Sequence, residues 1–553
     1  MMARIIGAGS SAATNTGRSR LSRAMSHWRV HPSAHFDNSV LRSLPLDSEP
    51  QNFVRNPVKG ACFSPIQPTP IVNPELVVTS RDALSLAGIE LRPEQDEVQN
   101  EYDLQPIASL VPYLAGNALL EGSEPAAQCY CGHQFGFFSG QLGDGAAVYL
   151  GEIVQDGNPA GRYELQLKGS GPSADLEDKE GMMKKMLDFT IRQYFPEINS
   201  DDRKFQRFFE EVVRRTAKLV AKWQSVGFCH GVLNTDNMSV VGDTLDYGPF
   251  GFMEHFDPKH VCNTSDDRSR YRYEAQPEIC KWNCGVFADQ LGLVMDRTDL
   301  QPGLDAFDAV YEEEYMRLMR EKLGLTPQND QGKQDKALTD TLFDVLAHTG
   351  ADFTCTFRYL SQLDAFGSVE SRDSVVQKLV GISETLAQQK RKLELVMGGF
   401  SDAQFEMIAM LLQENPARAS QYGITPALVA QMATQRKEKE LLAAATDDGR
   451  MNSVRAAWQD WIDVFVSRIR DEGDAVSDAE RRSRMLAVNP LFVLRNHVAQ
   501  KAIDLAHDGD YASVRHIFEL MTHPFDELSD DSDLPYTRPQ DPTTAPLCVS
   551  CSS

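Results

Sequence analysis

Three oxygen-bearing side chains, Asp236, Asn237 and Asp246, lie close together in FCHGVLNTDNMSVVGDTLDYGPFGF. Carboxylate and amide oxygens suit a hard cation, Mg2+ or Mn2+, which keeps waters and takes phosphate oxygens as further ligands. Between the three lies Gly242-Asp243, flanked by MSVV and TLDY. A two-residue loop opening with Gly predicts a type II′ hairpin turn. That register sets Val241 opposite Thr244, Val240 opposite Leu245 and Ser239 opposite Asp246. Asn237 then shares a face with Asp246 on the diagonal, about 7–8 Å away, and Asp236 stands beside them. Asn and Asp are also ordinary turn residues, but three of them around one turn, after His-Gly and before Asp-Tyr-Gly, read as a metal–phosphate site.

The arrangement is that of a protein-kinase-like core, where a catalytic-loop Asn and an Asp-x-Gly aspartate hold the metal. Val232 stands where that pattern puts its base, so Asp236, four residues on, is the nearby carboxylate that could substitute. Upstream, QCYCGHQFGFFSGQLGDGAAVYLGEIV predicts strand, Gly-rich turn, strand, with Gly140, Gly143 and Gly145 allowing a phosphate close to the backbone. This GxxGxG is weak alone, since Gly-rich hairpin loops are common. In RYELQLKGSG, Tyr163, Leu165 and Leu167 alternate with Glu164, Gln166 and Lys168, the period of a half-buried strand. Lys168 therefore faces away from the apolar side, where it could hold phosphates.

Ser200-Asp201-Asp202 predicts a helix start. Phe205, Phe208, Phe209, Val212, Thr216, Val220 and Trp223 follow as a helical stripe that Gly227 stops. That helix delivers the chain into HGVLNTDN. Beyond Asp257 the pattern is mostly helical, ending in a pair broken at Asp508-Gly509. The acidic, Pro-rich stretch from Glu527 predicts a mobile tail, and Cys548-x-x-Cys551 on it could form a dithiol or disulfide.

The chain has 553 residues and a net charge of −24. Phosphate-backbone binding needs clustered Lys and Arg, so nucleic acid is not the expected partner. No apolar run reaches the ~18 residues of a membrane helix, and ten cysteines do not make a disulfide scaffold. Residues 1–36 carry five arginines and no acid before Asp37, the composition of a mitochondrial transit peptide.

YCGHQFGFFSGQLGDGAAVYLGE, ELQLKGSGP, FCHGVLNTDNMS, LDYGPFGFME, NPLFVLRNHVAQKAI and the ending CVSCSS together resemble the selenoprotein O family, from about Phe36 to Ser553. The resemblance implies a pseudokinase-like protein that transfers AMP from ATP to Ser, Thr or Tyr hydroxyls of protein substrates, mitochondrial in animals. It implies Gly143 and Gly145 on the nucleotide and Lys168 on its phosphates. Asn237 and Asp246 would hold Mg2+ or Mn2+, and Asp236 would be the base. Ala146 stands where many members have Arg, and Cys551 where some carry selenocysteine.

One departure is large. After Pro172 the family's segment with the lysine's acidic partner and nucleotide-binding arginines does not follow, and the pattern resumes near Lys185; Lys168 and Asp236 are only 68 positions apart (236 minus 168). A three-stranded first lobe with an open edge is the consequence, with Glu177, Asp178 or Glu180 as candidate partners for Lys168. The expected fold is α/β (α+β): a protein-kinase-like two-lobed core with a large helical C-terminal region. Its parts are leader 1–36, N-terminal extension 37–125, truncated nucleotide-binding lobe 126–185, catalytic core 186–300, helical region 301–527 and tail 528–553. The expected activity is protein adenylyl transfer; kinase-type phosphotransfer, a nucleotide-free scaffold and a thiol oxidoreductase are its rivals.

Overall fold

The computed structural model describes residues 28–48, 60–91, 109–128, 131–141, 147–155, 161–168, 179–326, 332–396, 402–472, 477–528, 531–540, 547 and 549–550. The chain is mixed, with small antiparallel sheets in its N-terminal half and helices thereafter.

The strands are β1 (Trp28–Val30), β2 (Ala34–Phe36), β3 (Phe63–Pro65), β4 (Ile89–Leu91), β5 (Ala126–Gln128), β6 (Cys131–Gln134), β7 (Phe137–Gln141), β8 (Ala147–Gln155), β9 (Arg162–Lys168), β10 (Phe228–Cys229) and β11 (Gly251–Phe252). β8 organises the main sheet. One edge pairs with β9 along its length, and the other pairs with β5 and then β2, while β3 adds to β5. The expected three strands with an open edge are thus five, because β2 and β3 come from upstream. Trp28–Val30 and Ala34–Phe36, assigned above to the leader on composition, pair with β4 and β8, so ordered structure begins at least at Trp28. Glu152 on β8, 1% exposed, secures this join. It takes hydrogen bonds from Arg162 Nη1 at 3.0 Å, the Ser39 hydroxyl at 3.0 Å and the Tyr194 hydroxyl at 3.3 Å. Arg162 also pairs with Asp37; a charge buried this deeply survives only when so partnered.

The helix Lys179–Tyr194 spans the expected boundary at 185 and packs on both sides. Met182 and Phe189 join the sheet core with Val40, Leu41, Phe63 and Tyr149. Leu187 and Ile191 join the next core, built on the helix Lys204–Val226. Phe208, Phe209, Val212, Thr216, Val220 and Trp223 of that helix are buried as their spacing predicts, and Gly227 ends it in the left-handed conformation. The start falls later than Ser200: Asp201 accepts the Arg203 N–H at 2.8 Å instead. A third core gathers Trp458, Phe465, Leu342, Phe353 and Leu360 in the helical part.

The final pair, Asn496–His507 and Tyr511–Thr522, breaks at Asp508-Gly509 as expected. The tail differs from expectation. Leu534–Thr537 is a helical turn whose Thr537 carbonyl accepts from the buried Arg495 and from the Cys355 thiol. Composition does not report those backbone bonds. Cys548 and Cys551 lie outside the described residues, but Val549 between them accepts hydrogen bonds from Thr264 N–H (2.9 Å) and its hydroxyl (3.0 Å).

Candidate active site

Phe228 and Cys229 of β10 pair with Phe252 and Gly251 of β11, closing off the loop that carries Asp236, Asn237 and Asp246. Inside it one bridge forms, Met238 with Thr244. The expected Gly242-Asp243 turn is therefore corrected: the reversal runs through Ser239–Gly242, with Gly242 N–H donating to Ser239 O at 3.3 Å. Gly242 (φ +86°) lies where a Cβ would come within 2.9 Å of Arg215 Cβ, so it serves approach to the helix Lys204–Val226. Trp223 Nε1 on that helix donates to Thr244 Oγ1 at 2.9 Å, fixing the shifted register. The bridge sets Met238, not Val241, opposite Thr244, and Thr235–Asn237 is a single helical turn, so the expected strand pairing does not run on to Asp236, Asn237 or Asp246.

Polar side chains pin the loop backbone. Asn237 is buried and donates Nδ2 to Val232 O at 2.8 Å, leaving Oδ1 as the acceptor end of its amide. Asn263 donates to Gly231 O, Asn283 to Leu233 O, and Gln276 bridges Phe228 O and the His230 N–H. The Tyr271 hydroxyl donates to Asn234 Oδ1 at 2.7 Å and accepts the Phe135 N–H at 2.8 Å. Burial pushes the Tyr271 phenol up to about 12. These positioning residues escaped sequence reasoning, although Gln276 and Asn283, seven apart, share one face of the helix Gln276–Leu291. Asp246 is exposed and holds φ +58°, a left-handed conformation that Asp tolerates better than most residues.

His230 Nε2 meets Leu245 O at 2.8 Å. Burial drives its pKa down to about 4, against the opposing pull of the Leu245 carbonyl and the Asp246 charge. The folded state thus binds fewer protons than the unfolded chain between about pH 4 and 6.5. This contribution to stability is complete above pH 6.5 and is lost as pH falls toward 4. About 2 kcal/mol is expected to have gone by pH 5. Melting curves at pH 7 and pH 5 check it: the drop should shrink clearly in His230→Gln, which keeps a donor for Leu245.

The expected Gly-rich hairpin contains an extra one. β6 and β7 form a two-stranded sheet turned by Phe135 and Gly136, both with positive φ, as a two-residue hairpin loop requires. This hairpin docks on the loop: His133 N–H donates to Thr235 Oγ1 at 2.8 Å. Gly132 presses on Asp236 so closely that a Cβ there would sit 2.9 Å from Asp236 Cγ and nearer still to Oδ1. Gly132→Ala should therefore move hairpin and carboxylate apart. We expect any transfer activity to fall about tenfold to a hundredfold with the melting temperature nearly unchanged, measured side by side.

Lys168 ends β9 opposite Ala147, exposed, on the face away from half-buried Leu165 and Leu167. Among the described residues no carboxylate pairs with it. Gly143, Gly145 and Ala146 lie outside the described residues, as do Glu177, Asp178 and the side chain of Glu180. Among the described residues no three His, Cys, Asp or Glu side chains cluster to hold a metal. An ion here would rest on one amide, one or two carboxylates, water and phosphate, a donor set that fits Mg2+.

The model of the family described as Protein adenylyltransferase SelO matches residues 77–174 and 175–522, and the chain belongs to that family. Among its relatives, the mitochondrial Protein adenylyltransferase SelO of Mus musculus is 34% identical, covering 89% of this chain and 87% of the mouse protein. The mitochondrial SelO of Homo sapiens is likewise 34% identical, over 89% of this chain and 86% of the human protein. Protein nucleotidyltransferase YdiU of Azoarcus sp. (strain BH72) is 30% identical, over 94% and 99%. The mouse alignment spans 602 residues, yet 89% of 553 is about 492, so about 110 aligned positions have no residue here. The two matched stretches abut at 174 and 175, beside Pro172. No helix among the described residues is long and apolar enough to cross a membrane.

Proposed function

We propose that this chain is a mitochondrial protein adenylyltransferase with a kinase-like two-lobed core, moving AMP from ATP to Ser, Thr or Tyr hydroxyls of protein substrates. The observation that carries the reading is the pinned loop bearing Asp236, Asn237 and Asp246, with Asp236 packed against Gly132, in a chain of this family. Asn237 Oδ1 and Asp246 would hold Mg2+ or Mn2+ with the nucleotide's phosphate oxygens, and the bound ion would neutralise charge on the leaving pyrophosphate. Asp236 takes the proton from the acceptor hydroxyl. The hydroxyl oxygen attacks the α-phosphorus, the bond to the bridging oxygen breaks, and pyrophosphate departs. Lys168, Gly143, Gly145 and the backbone at Ala146 would lie along the triphosphate. Mass spectrometry of acceptor protein incubated with ATP and Mn2+ tests this. AMP adducts are expected; phosphate adducts would make the chain a kinase instead.

The gap beside Pro172 favours a second reading, in which the chain keeps the loop but no longer holds nucleotide. Thermal shift with saturating ATP and Mn2+ separates the two, since a ligand that binds only the folded state raises the melting temperature. A chain with the family's missing segment restored should shift further and transfer faster. Cys548 and Cys551 carry a separate proposal, a redox dithiol, which their replacement by Ser would remove without touching AMP transfer in reducing buffer.

A further inference from the structure

Beside the loop, the β6–β7 hairpin carries an aromatic surface that no described residue covers. Phe137 and Phe138 are 67% and 64% exposed, and as strand neighbours they face opposite sides. Phe138 packs on the His133 ring at 5.3 Å, and His133 meets Trp282 edge-on at 5.9 Å. The Arg270 guanidinium stands 4.6 Å over the same indole and against Gly136, where a Cβ would come within 3.1 Å of Arg270 Cζ. Phe138, His133, Trp282 and Arg270 therefore form one continuous patch of three rings and a cation. No described carboxylate pairs with Arg270, and β7 has no partner beyond β6 among the described residues.

The patch begins one residue from the candidate base, because Gly132 abuts Asp236 and His133 is bonded to Thr235. A chain segment lying on it would bring its own neighbouring residues to Asp236. Trp and Arg are the side chains that most often dominate binding surfaces, and an unpaired strand edge offers backbone donors and acceptors to an extended segment. A second copy of this chain would bring another −24 charges, which opposes self-association. A lone cation in so acidic a chain selects instead for a local acidic group on a different partner.

We propose that this patch docks the acceptor protein through an extended segment whose hydroxyl residue is flanked by a large aromatic and an acidic residue. The aromatic would sit on Phe138 and Trp282, and the acid on Arg270. The choice of a hydroxyl acceptor rests on the adenylyltransferase reading; the docking itself does not need turnover.

Fluorescein-labelled serine peptides, one with Phe and Asp flanks, one with Lys for Asp and one with Ala for Phe, test it by anisotropy against the full chain without ATP. The first is expected to bind at least about tenfold tighter than either other, a difference of about 1.4 kcal/mol. Phe138→Ala should erase the preference for Phe and keep that for Asp, Arg270→Gln the reverse, and Arg270→Lys should restore the charge preference. A merely structural role would not split in this crossed way. Equal binding of the three peptides, or preferences unmoved by the variants, would overturn the proposal. So would a loss of the ATP-dependent thermal shift in Phe138→Ala with peptide binding unchanged, which would assign the ring to the nucleotide base. AMP incorporation by the wild-type chain, measured alongside, judges the reaction separately: its failure with peptide preference intact removes the enzyme reading and leaves the docking site.

Discussion

Arg495→Met is expected to destabilise the chain by about 3–5 kcal/mol, the range seen when one partner of a buried ion pair is removed. Arg495 and Asp352 are both 0% exposed. They meet through two parallel bonds, Nη1 to Oδ2 at 2.7 Å and Nη2 to Oδ1 at 3.0 Å. Asp352 also caps the helix Phe353–Leu360 by accepting the Cys355 N–H at 2.7 Å. Burial acts to raise the Asp352 carboxyl, but the guanidinium beside it more than reverses that and holds it below the ordinary carboxylate range. With Met in place of Arg495 the carboxylate stays in the core without its cation. The Thr537 carbonyl loses a donor as well, so the strap 531–540 should loosen first. Urea unfolding at pH 7 measures the loss; a change below about 1 kcal/mol would mean that water or another cation reaches Asp352.

The variant also has a pH signature. In the wild type the depressed carboxyl contributes stability above its unfolded value near 3.8 and loses it as pH falls through the folded value. In Arg495→Met the orphaned carboxyl should instead take up a proton readily, so the gap between variant and wild type narrows as pH drops. Adding Asp352→Asn to Arg495→Met should recover much of the loss at pH 7, because the buried charge is then gone. A double variant no better than the single would place the damage in packing.

What the sequence disclosed follows the range of each interaction. The alternation of Tyr163 to Lys168 and the stripe from Phe205 to Trp223 record which side faces a core, and both recur as β9 and the helix Lys204–Val226. The strands β2 and β3 are three residues each, too short for a period to show, and exist because β8 offers them an edge. The shift of the turn in this loop has a distant cause. Gly242 looked like the first residue of a tight turn, but it is glycine because Arg215 of a packed helix leaves no room for a Cβ. Likewise the aromatic cluster on β6–β7 joins residues from positions 133, 138, 270 and 282; no local pattern connects them. Residue type and spacing around one turn brought Asp236, Asn237 and Asp246 forward, whereas Asn263, Tyr271 and Gln276, which pin the loop, read as ordinary polar residues.

Asp246→Asn should lower AMP transfer by about 10²–10³-fold, the scale for losing one charge-stabilising group at a reacting centre. It should also abolish the extra thermal shift that Mn2+ adds to ATP. Asp236→Asn should behave differently. It removes a proton acceptor, worth about 10²–10⁴ in rate, but leaves the exposed Asp246 and the Asn237 amide in place, so the Mn2+–ATP shift persists. The two carboxylates lie on one loop, and neutralising either changes net charge by the same amount. A general electrostatic effect would therefore move both readouts alike in both variants. Only a division of labour, one oxygen for the ion and one for the proton, predicts that rate and nucleotide binding fall together in one variant and separate in the other. If both variants keep the Mn2+-dependent shift, the ion does not rest on this loop, and Asn237 with its amide held by Val232 would be a structural residue.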